Sequence, residues 1–267
     1  MNNTFETCVT PLFVPATRPG RFEKAAQSGA DAIIVDFEDA VATSEKVTAR
    51  DQLTKASLPE GPILFRVNAV STPWFKDDIG AVTKLGQRGV LLPKVESADD
   101  VNAVRSIAPS SEIIALIETA KGLVNARAIA ASGPLRLAFG SLDYCVDLGC
   151  AHQRDTLLAA RSELVLASRL AGIAAPIDGV TAQFGDDAAV KSDATYAAAL
   201  GFSGKLCIHP TQIMSVKLAF SPSAKDIAWA ERILDASQHG VAVVDGMMVD
   251  APVRLRAQAI LARAAKI

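Results

Sequence analysis

Short apolar runs alternate with amphipathic helical segments along most of this chain, and this alternation limits its fold more than any other feature. Eight runs, each long enough for one buried strand, are followed by segments with apolar residues at helical spacing. Strands buried on both faces need such nearly continuous apolar sequence, which is typical of parallel sheets covered by helices. The predicted strands are Leu12–Ala16, Ala32–Phe37, Ile63–Val67, Val90–Val95, Ile113–Ile117, Leu135–Phe139, Ile177–Thr181 and Lys205–Ile208.

Eight strand–helix units in one chain predict a closed barrel. Open doubly wound sheets also alternate strands and helices, but they seldom reach eight units without a second domain. We therefore predict an α/β fold, a TIM (β/α)8 barrel, over residues 1–220. Residues 221–267 are surplus to the eight units and predict a short C-terminal helical extension. Its parts are a helix over Ala224–Ser237, a hairpin-like stretch and a helix over Ala251–Lys266, packed on the barrel or on a neighbouring subunit.

Composition and charge exclude several classes of protein. Half of the 267 residues are hydrophobic, and a chain of this length buries about three quarters of its unfolded surface without a disulfide or zinc staple. The net charge of −2 with no basic patch argues against nucleic acid or an anionic membrane as a partner. No apolar run reaches the roughly 18 residues of a membrane span. The four cysteines show no CxxC pairing, so we expect reduced thiols in a cytoplasmic protein.

Two carboxylates follow neighbouring predicted strands. Glu118 comes directly after Ile113–Ile117, and Asp143 follows Leu135–Phe139 and Gly140. A carboxylate at the end of a buried strand must be paired, protonated or bound to a cation, and Mg²⁺ is typically held by one or two carboxylates together with water and substrate oxygens. The spacing therefore predicts a magnesium site on Glu118 and Asp143. The alternative is that Glu118 caps a helix N-terminus and Asp143 starts a turn.

Further charged residues fall at or just beyond predicted strand ends, where TIM barrels carry their catalytic groups: Glu38, Asp39, Arg66 and Lys94. Arg66 has a planar fork that can bind a carboxylate bidentately, although it can instead form a structural ion pair with Glu38 or Asp39. A metal at this rim would stabilise an enolate as a carbon–carbon bond breaks or forms. That chemistry needs no nucleophile, in keeping with a sequence that has three histidines and no evident Ser/His or Cys/His arrangement.

Seven segments carry a resemblance to a known family: LFVPATRPGRFEKA, ADAIIVDFEDAV, RVNAVST, GVLLPKVES, ALIETAKGL, AFGSLDYCVDLG and GKLCIHPTQI. In this order they resemble the citrate lyase beta subunit-like branch of the HpcH/HpaI aldolase family, over almost the whole chain. The resemblance implies a magnesium-dependent TIM barrel that usually forms trimers or hexamers. Members cleave or form 3-hydroxyacyl thioesters of the citryl, malyl or citramalyl type, giving a 2-oxo acid and an acyl thioester.

The resemblance also implies roles for individual residues. Glu118 and Asp143 would be the metal ligands. Arg66 would bind the carboxylate of the oxo acid, and Glu38 and Asp39 would support the water molecules of the metal. These assignments follow from the position of each residue in the matched segments.

The closing segment VDGMMVDAPVRLRAQAIL resembles the C-terminal tail of the same branch. In members that act on coenzyme A esters, an Asp in this tail serves as acid/base from a neighbouring subunit, which implies that role for Asp250. Two alternatives stay open. One is an aldolase for free 2-oxo or hydroxy acids, whose relatives use a His base near the first strands, whereas the first His here is His152. The other is a citrate lyase complex subunit that is active only with an acyl carrier protein.

Overall fold

The computed structural model describes residues 4–236, 242–244 and 246–264. They fall into two compact units, Met1–Lys217 and Leu218–Ile267. Within the described residues, the first unit contains one eight-stranded parallel sheet in which the strands pair in chain order. The strands are β1 (Pro11–Pro15), β2 (Ala32–Asp36), β3 (Ile63–Arg66), β4 (Gly89–Leu92), β5 (Glu112–Ile117), β6 (Arg136–Phe139), β7 (Ala174–Asp178) and β8 (Gly204–Lys205).

The sheet closes on itself between its last strand and its first. Leu12 forms a parallel bridge with Cys207, just beyond β8. The Phe13 N–H donates to the Cys207 carbonyl, and the Cys207 N–H donates to the Pro11 carbonyl, each at 2.9 Å. The Lys205 N–H donates to the Val9 carbonyl at 2.8 Å. The TIM barrel predicted from the sequence is therefore confirmed.

Helices connect successive strands of the barrel, and short 3₁₀ turns at Pro19–Arg21 and Thr43–Glu45 lead into two of them. No helix of the described residues is both long and apolar enough to cross a membrane. The helices up to residue 220 are α1 (Thr4–Thr7), α2 (Phe22–Ala26), α3 (Lys46–Leu53), α4 (Phe75–Lys84), α5 (Ala98–Ile107), α6 (Ala120–Val124), α7 (Ala126–Ala131), α8 (Ser141–Leu148), α9 (Arg154–Ala171), α10 (Asp187–Leu200) and α11 (Gln212–Phe220).

One face of each strand supplies the core of the barrel. Alternate strand residues, among them Ile34, Leu64 and Ile114, form a single buried cluster that also includes Phe5 of α1. Arg136 is the first residue of β6, and it is fully buried at the amino-terminal end of the strands. Its guanidinium donates to the carbonyls of Phe5, Cys8 and Ala175 and to the Ser203 hydroxyl, at 2.7 to 3.1 Å. The N-terminal segment is thus fastened to the barrel through a buried cation.

The second unit is a small helical layer with a β-hairpin. It consists of α12 (Ala224–Ala236), an antiparallel pair of β9 (Ala242–Val244) with β10 (Met247–Val249), and α13 (Ala251–Ala264). Its buried residues are Ala230, Ile233, Val249, Ala257 and Ile260. The predicted helix ends at Ser237 and Lys266 lie outside the described residues. The predicted packing of this extension on the barrel or on a neighbouring subunit stays a prediction.

Several local predictions differ from the structure, and β4 and β8 each end three residues earlier than predicted. Strand β7 lies three residues earlier than predicted, because its sequence AAPID offers small residues and a proline where the prediction required a bulky apolar run. The predicted crossover helix between β5 and β6 is divided into α6 and α7, which meet at Asn125. Helix α8 was not predicted, because SLDYCVDL is short and has two aspartates among its apolar residues.

Candidate active site

A cavity of about 400 Å³ opens where the strands of the barrel end. Its apolar wall includes Phe13, Leu116 and Val180, which come from β1, β5 and the loop after β7. Its polar wall is formed by residues at the carboxyl ends of β2 and β3 and by residues that follow β2, β5 and β6. These are Asp36, Asp39, Arg66, Glu118, Ser141 and Asp143. Four residues predicted from the sequence, Asp39, Arg66, Glu118 and Asp143, thus lie in one cavity.

Glu118 is the most deeply buried of the predicted metal ligands, with an exposed fraction of 2%. Its Oε1 accepts the backbone N–H of Lys94 at 2.7 Å. A side chain at position 140 would collide with Glu118 Oε2, so Gly140 leaves the room that the carboxylate occupies. Burial raises the pKa of Glu118 to about 8, and the charges of Glu38 and Asp143 raise it as well. Negative charge is therefore costly here unless a cation is present.

Asp143 lies in the first turn of α8, on the neighbouring strand connection. The helix N-terminus favours its negative charge. The alternative roles considered for the two acids are not the observed ones. Thr119, rather than Glu118, caps α6, because its Oγ1 accepts a first-turn N–H at 3.0 Å. Asp147 Oδ2 accepts the Ala120 N–H at 2.7 Å and ties α8 to α6. Asp143 lies in the first turn of a helix rather than at the start of an isolated turn.

Arg66, the last residue of β3, contacts three carboxylates. Its Nε and Nη2 donate to the two oxygens of Asp36 at 2.8 and 2.6 Å. Its Nη1 lies 3.1 Å from Glu38 Oε2 and 3.2 Å from Asp39 Oδ2. The structural ion pair considered from the sequence is therefore present, and Asp36, which was not among the predicted site residues, takes the bidentate fork. Binding of an oxo-acid carboxylate by Arg66 stays a prediction.

Glu38 lies behind Arg66, and only 6% of it is exposed. Lys94 Nζ donates to Glu38 Oε1 at 2.5 Å. The loop around Glu38 is fixed by Lys46, whose ammonium donates to the carbonyls of Phe37 and Glu38 at 3.0 Å each. Burial raises the pKa of Glu38, while Arg66 and Lys94 counteract that rise. Glu38 is thus a buried acid whose position depends on three cations.

Lys94 links the two buried acids of the site. It is the one non-glycine residue with a positive φ among those that the structure describes, at 49°. This left-handed backbone turns the N–H towards Glu118, while the ammonium reaches Glu38. Such a conformation costs an ordinary residue roughly 1–2 kcal/mol and persists where the surroundings impose it. The backbone strain at Lys94 therefore lies within the candidate site.

We expect the usual stability order of Ala and Gly to reverse at position 94. Lys94→Ala and Lys94→Gly both remove the ammonium, but glycine also relieves the left-handed strain, so the Gly variant should be more stable by about 1 kcal/mol in urea unfolding. The matched control is Lys191, exposed in the middle of α10. There Lys191→Ala should be more stable than Lys191→Gly by about 1 kcal/mol. The same order at both positions would contradict strain at Lys94.

The charges around the cavity are unbalanced. Five carboxylates stand against three cations. The carboxylates are Asp36, Glu38, Asp39, Glu118 and Asp143, and the cations are Arg66, Lys94 and Lys46. The residues that the structure describes contain no group of three or more His, Cys, Asp or Glu placed to hold a metal. A site built on Glu118 and Asp143 has two protein carboxylates, which is the number that Mg²⁺ commonly uses. The donor set therefore fits a magnesium ion.

Comparison with known proteins agrees with this geometry. The family described as HpcH/HpaI aldolase/citrate lyase matches residues 10–210. This chain belongs to that family. Membership confirms the resemblance found in the seven sequence segments, and it makes the chain an enzyme of the aldolase and lyase class.

Individual relatives of the family are similar over nearly the whole chain. A citrate lyase subunit beta-like protein of Mycobacterium tuberculosis is 38% identical over 262 residues, covering 95% of this chain and 94% of the relative. A (3S)-malyl-CoA thioesterase of Cereibacter sphaeroides is 37% identical over 270 residues, covering 96% and 94%. The crystal structure of M. tuberculosis CitE in complex with magnesium, acetoacetate and coenzyme A has a TM-score of 0.87 and 37% identity, covering 97% of this chain and 99% of that one.

Asp250 of this chain lies in the second unit. Its side chain is exposed, and its Oδ1 accepts the Val253 N–H at 3.0 Å at the start of α13. The carboxylate thus caps a helix. Its role as acid/base from a neighbouring subunit stays a prediction.

The structure also contains a Ser/His contact that the sequence did not reveal. Ser141 Oγ lies 2.9 Å from His152 Nε2, across the eleven residues that contain α8. Ser141 lines the cavity, and 1% of it is exposed, whereas His152 is exposed. No short motif encodes this pair, because the contact depends on how α8 ends and how the following loop returns.

Proposed function

We propose that this chain is a magnesium-dependent carbon–carbon lyase. It cleaves or forms a 3-hydroxyacyl thioester of the citryl, malyl or citramalyl type, giving a 2-oxo acid and an acyl thioester. The observation that carries the proposal is the buried Glu118 beside Asp143 in a cavity with an excess of carboxylates. Glu118 and Asp143 would hold the ion, which when bound stabilises the negative charge of the enolate.

The residues around the ion would then fix its ligands and bind the substrate. Glu38 and Asp39 support the water molecules of the metal, and Lys94 keeps Glu118 in position through its backbone N–H. Arg66 adds a permanent positive charge to the cavity wall, because its contacts with Asp36, Glu38 and Asp39 outweigh burial and raise its pKa. This charge favours the anionic groups of the substrate and of the transition state.

The carboxylate of the oxo acid has a second candidate partner in α8. The first N–H groups of a helix have no partner within the helix and carry a partial positive charge. Ser141, Leu142 and Asp143 begin α8, and all three line the cavity. We therefore assign the substrate carboxylate to the N-terminus of α8 together with Arg66. In this assignment the substrate carboxylate does not depend on Nε and Nη2 of Arg66, which already bind Asp36.

The relatives support a thioester as the substrate. The M. tuberculosis protein binds magnesium, acetoacetate and coenzyme A, and the C. sphaeroides protein is named for malyl-CoA. A coenzyme A thioester is therefore favoured over free oxo acids and over a carrier-protein thioester. A homotrimer or hexamer in the cytoplasm, with Asp250 acting across subunits, completes the proposal.

Thioester cleavage across a small panel tests this function. The purified chain is incubated with malyl-, citramalyl-, methylmalyl- and citryl-CoA in the presence of Mg²⁺, and release of the 2-oxo acid is followed. We expect release from one of them, its loss with EDTA, and its return when Mg²⁺ is added in excess. Silence across the panel from a folded protein that still binds Mg²⁺ would refute a coenzyme A lyase. In that case an acyl carrier protein thioester and free 2-oxo acids are the next substrates to compare.

A further inference from the structure

A polar path leads from the cavity to the protein surface through two side chains. Ser141 is buried in the cavity wall, and its Oγ is hydrogen-bonded to Nε2 of His152 at 2.9 Å. His152 lies in the segment that follows α8, and its ring is exposed to solvent. The described side chains thus connect a buried hydroxyl with bulk water through a single imidazole.

The surroundings of the pair fix its position and its protonation state. A side chain at Gly179 would collide with Ser141 Oγ, so the glycine leaves the space that the hydroxyl needs. Burial lowers the pKa of His152, and the charges of Arg161 and Lys205 lower it further, against Asp193 and Asp178. The imidazole is therefore neutral at neutral pH and is able to accept a proton.

The two reactions open to a 3-hydroxyacyl thioester differ in what they do with protons. In lyase cleavage the hydroxyl loses a proton and the acyl carbon gains one, so nothing is released to solvent. In hydrolysis at neutral pH, a thioester and water give a carboxylate, a thiol and one free proton. A path from the cavity to solvent therefore serves hydrolysis, whereas the lyase reaction does not require it.

We propose that this enzyme also hydrolyses its acyl thioester, with Ser141 and His152 conducting a proton from the attacking water to solvent. The inference rests on the proposed function, because the same thioester must bind in the same cavity. The named activity of the C. sphaeroides relative, a thioesterase, agrees with it.

The step balances without any further reactant. The water oxygen bonds to the thioester carbonyl carbon while its proton passes to Ser141 Oγ and the Ser141 proton passes to His152 Nε2. The carbon–sulfur bond then breaks, and the leaving thiolate takes the proton of the new carboxylic acid. His152 finally releases its proton to solvent.

Two products measured in one reaction separate the two activities. With malyl-CoA and Mg²⁺, glyoxylate reports the lyase and free thiol reports hydrolysis, while acetyl-CoA alone corrects for thiol released from the acyl product. We expect His152→Gln to lower thiol release by about 100-fold, the usual effect of losing an acid–base group, and to leave glyoxylate release nearly unchanged. Ser141→Ala should lower thiol release to a similar extent. The matched control is His209→Gln, since His209 stacks on Phe184 and bonds Thr211, outside the pair.

A second set of measurements does not depend on turnover. The three histidines allow the ring signals to be assigned by NMR, and Ser141→Ala should shift those of His152 but not those of His209. Calorimetry should give the same Mg²⁺ affinity for His152→Gln as for the wild type.

Each other outcome counts against the inference. Glyoxylate without any thiol from the wild type would overturn hydrolysis and leave the lyase intact. Equal losses of glyoxylate and thiol in His152→Gln would make the pair a support for the α8 turn rather than a proton path. If the folded wild type releases neither product from any of the four coenzyme A thioesters in the panel, both this inference and the proposed coenzyme A lyase fail.

Discussion

Glu118→Gln is expected to lower magnesium-dependent turnover by about three orders of magnitude, or about 4 kcal/mol, without unfolding the barrel. The amide keeps the shape of the side chain but loses the negative charge that holds the metal. The melting temperature should stay the same or rise, because burial and the charges of Glu38 and Asp143 already disfavour the ionised carboxylate. The measurements are Mg²⁺ titration by calorimetry, release of the oxo acid, and thermal unfolding.

The matched control for Glu118 is on the same strand. Glu112 begins β5 at the opposite end of the barrel, where it lies 3.9 Å from Arg88. Glu112→Gln should leave both Mg²⁺ affinity and turnover unchanged, since neither residue lies in the cavity. Full activity in Glu118→Gln would remove the proposed metal site.

Arg136→Met should destabilise the barrel by about 3–5 kcal/mol and lower the melting temperature by about 10 °C. Methionine fills much of the volume but cannot donate, so the hydrogen bonds of the guanidinium to the carbonyls of Phe5, Cys8 and Ala175 and to the Ser203 hydroxyl are lost. Arg136 has no exposed surface, and burial lowers its pKa to about 10. Thermal and urea unfolding measure the loss.

An exposed arginine provides the comparison for Arg136. Arg127 on α7 forms a surface ion pair with Glu163, and Arg127→Met should hardly change the unfolding transition. Arg136→Lys should fall between the two, because an ammonium can reach some but not all of the same acceptors. Equal stability of the variants at positions 127 and 136 would show that the buried bonds contribute nothing.

The barrel was predictable because each unit is encoded locally. Helix α5 (Ala98–Ile107), for example, starts at a capping box of Ser97 with Asp100. The strands with bulky apolar runs were found within a residue or two, except at the carboxyl ends of β4 and β8. Strand β7 was misplaced because Ala174, Ala175 and Pro176 give no such run. Local sequence thus predicts an element only where its own residues express the periodicity.

The candidate site was only partly predictable, because some of its contacts join residues that are distant in the sequence. Glu118 and Asp143 stand directly after strands, so the barrel geometry alone brings them to the same rim. The choice of Asp36 as the partner of Arg66, thirty residues away, depends on side-chain reach between two strands. The Ser141–His152 contact depends on a loop conformation. Pairings of this kind have no periodic signal in the sequence.

The bridge between Leu12 and Cys207 implies an order of events during synthesis. The first strand leaves the ribosome long before residues 204–207, its partners on one side, have been made. Until then the outer edge of β1 has unpaired backbone groups, and such an edge is a template for pairing with another chain. The nascent chain therefore passes through a long interval in which up to seven strands exist without closure. Chaperone dependence and aggregation of truncated products are expected to depend on whether the chain extends beyond Cys207.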